Sequence, residues 1–149
     1  MITLEEAVAH QLREIIDGAA AVLAAVGDRA AADQIRAGSL GRAAKLAVQL
    51  CADNDEAAAR VAALAPLLWP DPSPQWWATP LGRVAARHTS AGPDEALTFA
   101  AAAAMLGIST TAVHAYANSA TADVDRHPDR GVTRLSVLRR IARLSRDHP

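Results

Sequence analysis

Leu97 to Asn118 reads LTFAAAAAMLGISTTAVHAYAN, and the reading of this stretch decides the fold. The spacing predicts two short helices joined by a tight turn, the layout of a helix-turn-helix. Thr98 stands just before the uninterrupted helical run Phe99 to Leu106, where its hydroxyl can cap the first backbone N–H groups. Gly107 follows the last apolar residue, where a chain leaving a helix often needs a positive φ. Ile108 is the apolar plug of the turn, and Ser109 can cap a second helix from Thr110 to about Asn118. Ala103, four residues before Gly107, lets the two backbones approach where they cross. Val113 and Tyr116 fall on one face of the second helix at i, i+3 and join Ala102, Leu106 and Ile108 as the inner surface. An ordinary αα-hairpin with a glycine turn is the competing reading.

The next stretch favours the first reading. Between Ala120 and Val132 the chain carries turn chemistry at His127-Pro128-Asp129-Arg130-Gly131, flanked by short segments holding Val124 and Val132, which predicts a small β-hairpin or wing. Ser136 is then expected to cap a last helix, VLRRIARLSRD, with Val137, Leu138, Ile141 and Leu144 as its apolar stripe.

From about Asp94 to Asp147, the order helix, GIS turn, helix, hairpin, then a helix opened by TRLSVLRRI resembles the winged helix-turn-helix of MerR-type regulators and phage excisionases. The resemblance implies a DNA-binding module. It departs from the family pattern at two places: Thr110 to Asn118 holds no Arg or Lys, and Asn118-Ser119-Ala120 stands where a glycine is usual.

Composition agrees with a helical chain. Of the 149 residues 37 are alanine, while Phe and Tyr occur once each, so the core must be knit from small side chains. The expected fold class is all-α with one small β-hairpin wing: an Ala-rich helical bundle followed by a winged helix-turn-helix. Composition of this kind also suggests a bacterial source. The net charge of −1 excludes binding of polyanions by bulk electrostatics, but charge is unevenly spread. Residues 1–93 hold eight Lys/Arg against ten Asp/Glu, whereas residues 126–149 hold seven Arg against two Asp. A local basic patch is the footprint of a small DNA-binding module. A solvated helix face is the plainer explanation of the same charges. The lone Cys51 supports neither a disulfide framework nor a Cys-based metal site. With no basic, apolar leader and no apolar run near the ~20 residues of a membrane span, the expected location is cytoplasmic, with no membrane partner.

In chain order, Thr3-Leu4-Glu5-Glu6 has capping-box spacing. The helix it opens carries Leu4, Val8, Leu12, Ile15, Ile16, Ala19, Leu23 and Val26 on one side, up to Gly27. Such a helix is either the spine of a bundle or the seam of a dimer. Asp28 is expected to cap a second helix to Ala37, with a break at Gly38-Ser39-Leu40-Gly41 and a third helix from Arg42 to Ala52. Asp53 is expected to cap a fourth, whose buried side is Val61, Leu64, Leu67 and Leu68 and which Pro66 can kink. This divides the chain into a bundle at 1–69 for dimerisation or partner contact, a Pro/Trp connector with a short helix at 70–93, and the DNA-binding module at 94–149. Trp76 and Trp77 are read as packing bodies that wedge connector against bundle rather than as a stacking platform for a ligand.

No enzyme is expected. His10, His88, His114, His127 and His148 are scattered, and HExxH, GxSxG, P-loop and dinucleotide fingerprints are missing, so neither a cofactor nor a metal is implied. With double-stranded DNA as partner, the second helix enters the major groove offering Thr110, Thr111, His114 and Asn118. Asn118 can read adenine bidentately and His114 can donate to guanine, while Ser109 and Thr110 suit phosphate at the helix start. Arg126, His127 and Arg130 of the wing reach backbone or minor groove, and Arg134, Arg139, Arg140 and Arg143 hold phosphates. The expected function is a sequence-specific transcriptional regulator that binds an inverted repeat as a homodimer. The alternative is a protein-interaction module or adaptor that keeps the helix-turn-helix scaffold without binding DNA. A protein partner at the N-terminal domain fits either reading.

Overall fold

Thr3 opens the first helix with the capping box its spacing predicts: its Oγ1 accepts from the Glu6 N–H at 3.1 Å, and Glu6 Oε2 accepts from the Thr3 N–H at 2.8 Å. The computed structural model describes residues 1–121 and 123–147; Ala122, inside the expected wing, and His148 lie outside the described residues. The fold is mostly helical with one small antiparallel sheet. Helix α1 runs Leu4–Ala25, α2 Arg29–Cys51 and α3 Asp55–Leu68; a 3₁₀ turn at Pro74–Ala78 leads into α4, Pro80–Ala86. Strand β1 (Ala96–Leu97), α5 (Phe99–Leu106), α6 (Thr110–Asn118), β2 (Val132–Thr133) and α7 (Arg134–Asp147) follow.

Two helix boundaries differ from the sequence reading in the N-terminal part. The break expected at Gly38-Ser39-Leu40-Gly41 is not there, and α2 is one helix of 23 residues. Glycines inside a helix cost about 1 kcal/mol each relative to alanine, which packing can outweigh. Here α2 buries Ala32, Ser39, Ala43 and Ala47, so it lies close against α1 and only small side chains fit between them. Asp53 is not the cap of α3: Asn54 Oδ1 accepts from the Ala57 N–H at 2.8 Å, while Asp53 pairs with Arg146 of α7 at 2.9 Å.

The segment read as a connector lies at the centre of the core. Trp77, Leu81, Val84, Ala85 and Ala86 are buried in one contiguous apolar cluster, which also takes in Val8 and Leu12 of α1, Leu50 of α2, Ala102 and Leu106 of α5, and Leu138 and Ile141 of α7. Trp69 stacks on Trp76 with ring centroids 5.0 Å apart, and Trp76 meets Trp77 edge-on at 5.3 Å. Polar links fix α4 between its neighbours. Gln11 of α1 accepts from the Leu81 N–H at 2.9 Å, and Arg87 donates to the Cys51 carbonyl at 2.8 Å and to Ser145 Oγ of α7 at 2.6 Å.

The sheet is also built differently from the expected hairpin. β2 pairs antiparallel with β1, Ala96 opposite Thr133 and Leu97 opposite Val132, so the strand before α5 holds the strand before α7. Among the described residues the expected hairpin closes through a single bridge, Arg126 opposite Val132. α7 begins a turn earlier than expected, at Arg134, and the Ser136 N–H points at Thr133 Oγ1, 3.4 Å away. Ser136 is therefore not the cap: it is buried in the first turn, where its Oγ accepts from the Asp125 N–H at 2.9 Å and ties the wing segment to α7.

Candidate nucleic-acid interface

Helices α5 and α6 meet at a bend of 103°. Thr98 Oγ1 caps α5 by accepting from the Ala101 N–H at 3.1 Å, and Ser109 Oγ caps α6 by accepting from the Ala112 N–H at 3.1 Å. Gly107 sits between them at φ +68°, a left-handed conformation that costs a side-chain-bearing residue about 1–2 kcal/mol. The Ile108 N–H then closes onto the Ala103 carbonyl at 3.1 Å. Among the described residues no single helix is long and apolar enough to cross a membrane, and the 103° bend separates the two apolar segments α5 and α6.

Val113 is fully buried against α5, while Tyr116 and Ala117 are half-buried. Thr110, Thr111, His114, Ala115 and Asn118 form the solvent face of α6. That face bears no cation of its own, but one is brought to it. Arg126, at the base of the wing, donates from Nε and Nη2 to Asn118 Oδ1 at 3.0 and 2.6 Å. Its guanidinium lies 5.7 Å from the Phe99 ring centroid, and the His114 ring stacks on the other partner of this group, Phe99, at 3.7 Å and 21°. Phe99, the first residue of α5, is thus a shared platform for one residue of α6 and one of the wing. In the sequence Phe99 marks only the start of a helix, and nothing local signals that His114 and Arg126 converge on it.

The segment from Asp125 to Gly131 is fastened at several points. Gly131 stands at φ +65°, and a Cβ there would run into the Leu97 carbonyl oxygen, so glycine lets β2 lie against β1. His127 Nε2 contacts the Asp94 carbonyl at 3.1 Å while the Asp129 N–H donates to its Nδ1 at 3.2 Å. A carbonyl can only accept, so the ring carries its proton on Nε2.

The arginines divide into two groups. Arg134 pairs with Glu95 at 3.6 Å and lies 5.8 Å from the Trp77 ring centroid. Arg140 donates to Asp123 at 2.7 Å, only 12% exposed, with its guanidinium 3.9 Å from the Tyr116 centroid. Arg143 grips the same carboxylate, and its hydrogen bonds, with Arg140 beside them, hold Asp123 below the usual carboxylate range. Arg146 does the same to Asp53. Asp123 was not singled out by the sequence, although Arg140 and Arg143 stand one helical turn apart and invite a shared partner. Among the described residues Arg130 and Arg139 make no ion pair; both are exposed. No cluster of three or more metal-ligating side chains occurs among the described residues. No family model, no curated protein and no solved structure matches this chain.

Proposed function

We propose that this chain is a sequence-specific DNA-binding transcriptional regulator whose C-terminal third works as a winged helix-turn-helix and which binds an inverted repeat as a dimer. The observation that carries the reading is Arg126, fixed on the outer face of α6 by Asn118. Two of its five N–H donors are spent on Asn118 Oδ1, and three remain for a ligand. With α6 in a major groove, that guanidinium is placed to meet the O6 and N7 acceptors of guanine. Asn118 then acts by holding Arg126 rather than by reading adenine, since the Oδ1 that adenine's amino group would need is already occupied. Thr110, Thr111 and His114 share the face, and Ser109 and Thr110 lie at the helix start, where unpaired N–H groups suit phosphate. Arg130 and Arg139 supply the phosphate contacts. Arg134 and Arg140, held by Glu95 and Asp123, and His127, held by Asp94, fix the shape of the wing and α7.

The second reading, a protein-binding adaptor, is favoured by the neutral surface of α6 and by the carboxylates that neutralise Arg134, Arg140, Arg143 and Arg146. Fluorescence anisotropy against random duplex DNA over a salt series separates the two, followed by sequence selection on the retained fraction. Binding that weakens with salt and enriches an inverted repeat supports the regulator. No binding at low salt with tens of micromolar protein, the weak end of non-specific affinity, rejects it for this chain alone.

A further inference from the structure

Helix α1 carries one apolar seam along its whole length, but the protein covers only the first half. Leu4, Val8 and Leu12 face the core, with Val8 and Leu12 at most 2% exposed. At 100° per residue, Ile15, Ala19, Val22 and Val26 continue the same line. Beyond Leu12 the buried side of α1 passes to Ala20, which is fully covered, and exposure along the seam climbs to 37% at Ile15, 64% at Val22 and 75% at Val26. The second half of α1, Gly18 to Val26, reads GAAAVLAAV and has no charged residue; Ala20 is buried and Leu23 and Ala24 are half-buried, but the other six of these nine positions are exposed. A solvated helix face ordinarily carries charge, and the first half of α1 does, at Glu5, Glu6, Arg13, Glu14 and Asp17.

We propose that this seam is covered by the seam of a second copy, packed antiparallel about a twofold axis between Ala19 and Val22. The seam is self-complementary in that register: Val22 falls opposite the small Ala19 of the partner copy, and Ile15 falls opposite its Val26, so large side chains meet small ones at the axis and close the ends. In the parallel register, each charged first half of α1 would instead lie beside its copy. The overlap of twelve residues, Ile15 to Val26 on each copy, spans about 18 Å along the helix. The surface stands on α1 alone; only its use in joining two half-sites rests on the DNA-binding reading.

Sedimentation equilibrium of the whole chain at 10–100 µM tests it. The expected mass is twice the 15.6 kDa of the chain. Val22→Glu should return the protein to a single chain mass with unchanged helical circular dichroism, because Val22 has no buried role to lose. Mixing Val22→Glu with Ala19→Lys should restore the dimer, since each glutamate then meets a lysine across the axis. A wild-type monomer at 100 µM, or a Val22→Glu protein that still dimerises, overturns the proposal. A duplex carrying a single half-site keeps the two readings apart: Val22→Glu should bind it as well as wild type does, and if neither binds, the regulator reading fails while the mass measurement still decides the seam.

Discussion

Arg126 and Asn118 are eight residues apart in sequence, and the amide oxygen of one holds both Nε and Nη2 of the other on the open face of α6. Helix α6, without Lys or Arg of its own, thereby presents a guanidinium whose geometry is set by a neighbour. Two exposed side chains would seldom hold such a pose on their own; here the Arg126–Val132 bridge fixes the arginine's backbone and Phe99 lies beneath its guanidinium.

Removing either member of this pair should therefore have different consequences. Arg126→Ala is expected to cost about 1–3 kcal/mol of DNA affinity and to relax selectivity at one base position. Asn118→Ala leaves the guanidinium present but mobile and should cost less affinity while blurring the same position. Because both side chains are exposed, thermal stability should stay within about 0.5 kcal/mol of wild type. Selection on randomised duplexes with each variant checks this; loss of selectivity at unrelated positions would count against the assignment.

The division of the arginines predicts a salt effect. Each phosphate contact contributes close to one unit to the slope of log K against log salt. Arg130→Ala and Arg139→Ala should each lower the slope by about one. Arg140→Ala should leave the slope nearly unchanged and instead lower stability, because Asp123 loses the less exposed of its two arginines and Tyr116 loses its cation. Titrations at four or five salt concentrations for each variant measure both.

Much of this architecture was legible from local chemistry, because caps and turns are written within three or four residues. Thr3, Thr98, Ser109 and Gly107 do in space what their positions in the chain imply. What was not legible depends on partners far along the chain. The glycines at 38 and 41 read as a break because nothing local reveals that Ser39 between them, with Ala43 and Ala47, is buried where α2 packs against α1. Asp53 read as a cap because Arg146, its actual partner, is 93 residues away. Ser136 lost the capping role for a similar reason, since the Asp125 N–H uses its hydroxyl across the wing. In the candidate interface, α6 could be placed from its spacing, whereas the arrival of Arg126 on it required the path of the wing.

Gly131→Ala tests how that path is enforced. The substitution puts a side chain at φ +65° and drives its Cβ into the Leu97 carbonyl, so the β1–β2 pair must separate or shift. A loss of about 2–4 kcal/mol is expected. Movement of the wing should also release Arg126 from Asn118, so DNA selectivity should fall at the position that Arg126→Ala affects. Denaturant unfolding measures the first effect and duplex selection the second. An alanine variant with wild-type stability would show that the wing strand is not held by this contact.

His88 gives the fold a dependence on pH near neutrality. It follows α4, half-buried, with Nε2 shielded from water and without a hydrogen-bond partner among the described residues. Burial, opposed by the nearby charge of Asp53 and reinforced by Arg87 and Arg146, pushes its pKa below the usual histidine value. The unfolded chain, with an ordinary histidine near 6.5, then binds more protons than the folded one as the pH falls through that value. Stability contributed by the neutral ring is complete above about pH 6.5 and is lost as the pH falls toward the lowered folded value. Thermal melts from pH 8 to pH 5 should thus show a declining midpoint. His88→Gln, which cannot titrate, should flatten that decline without removing the steeper loss below pH 4, where Asp123 and Asp53 take up protons and release Arg140, Arg143 and Arg146. An unchanged decline in His88→Gln would assign it to another group.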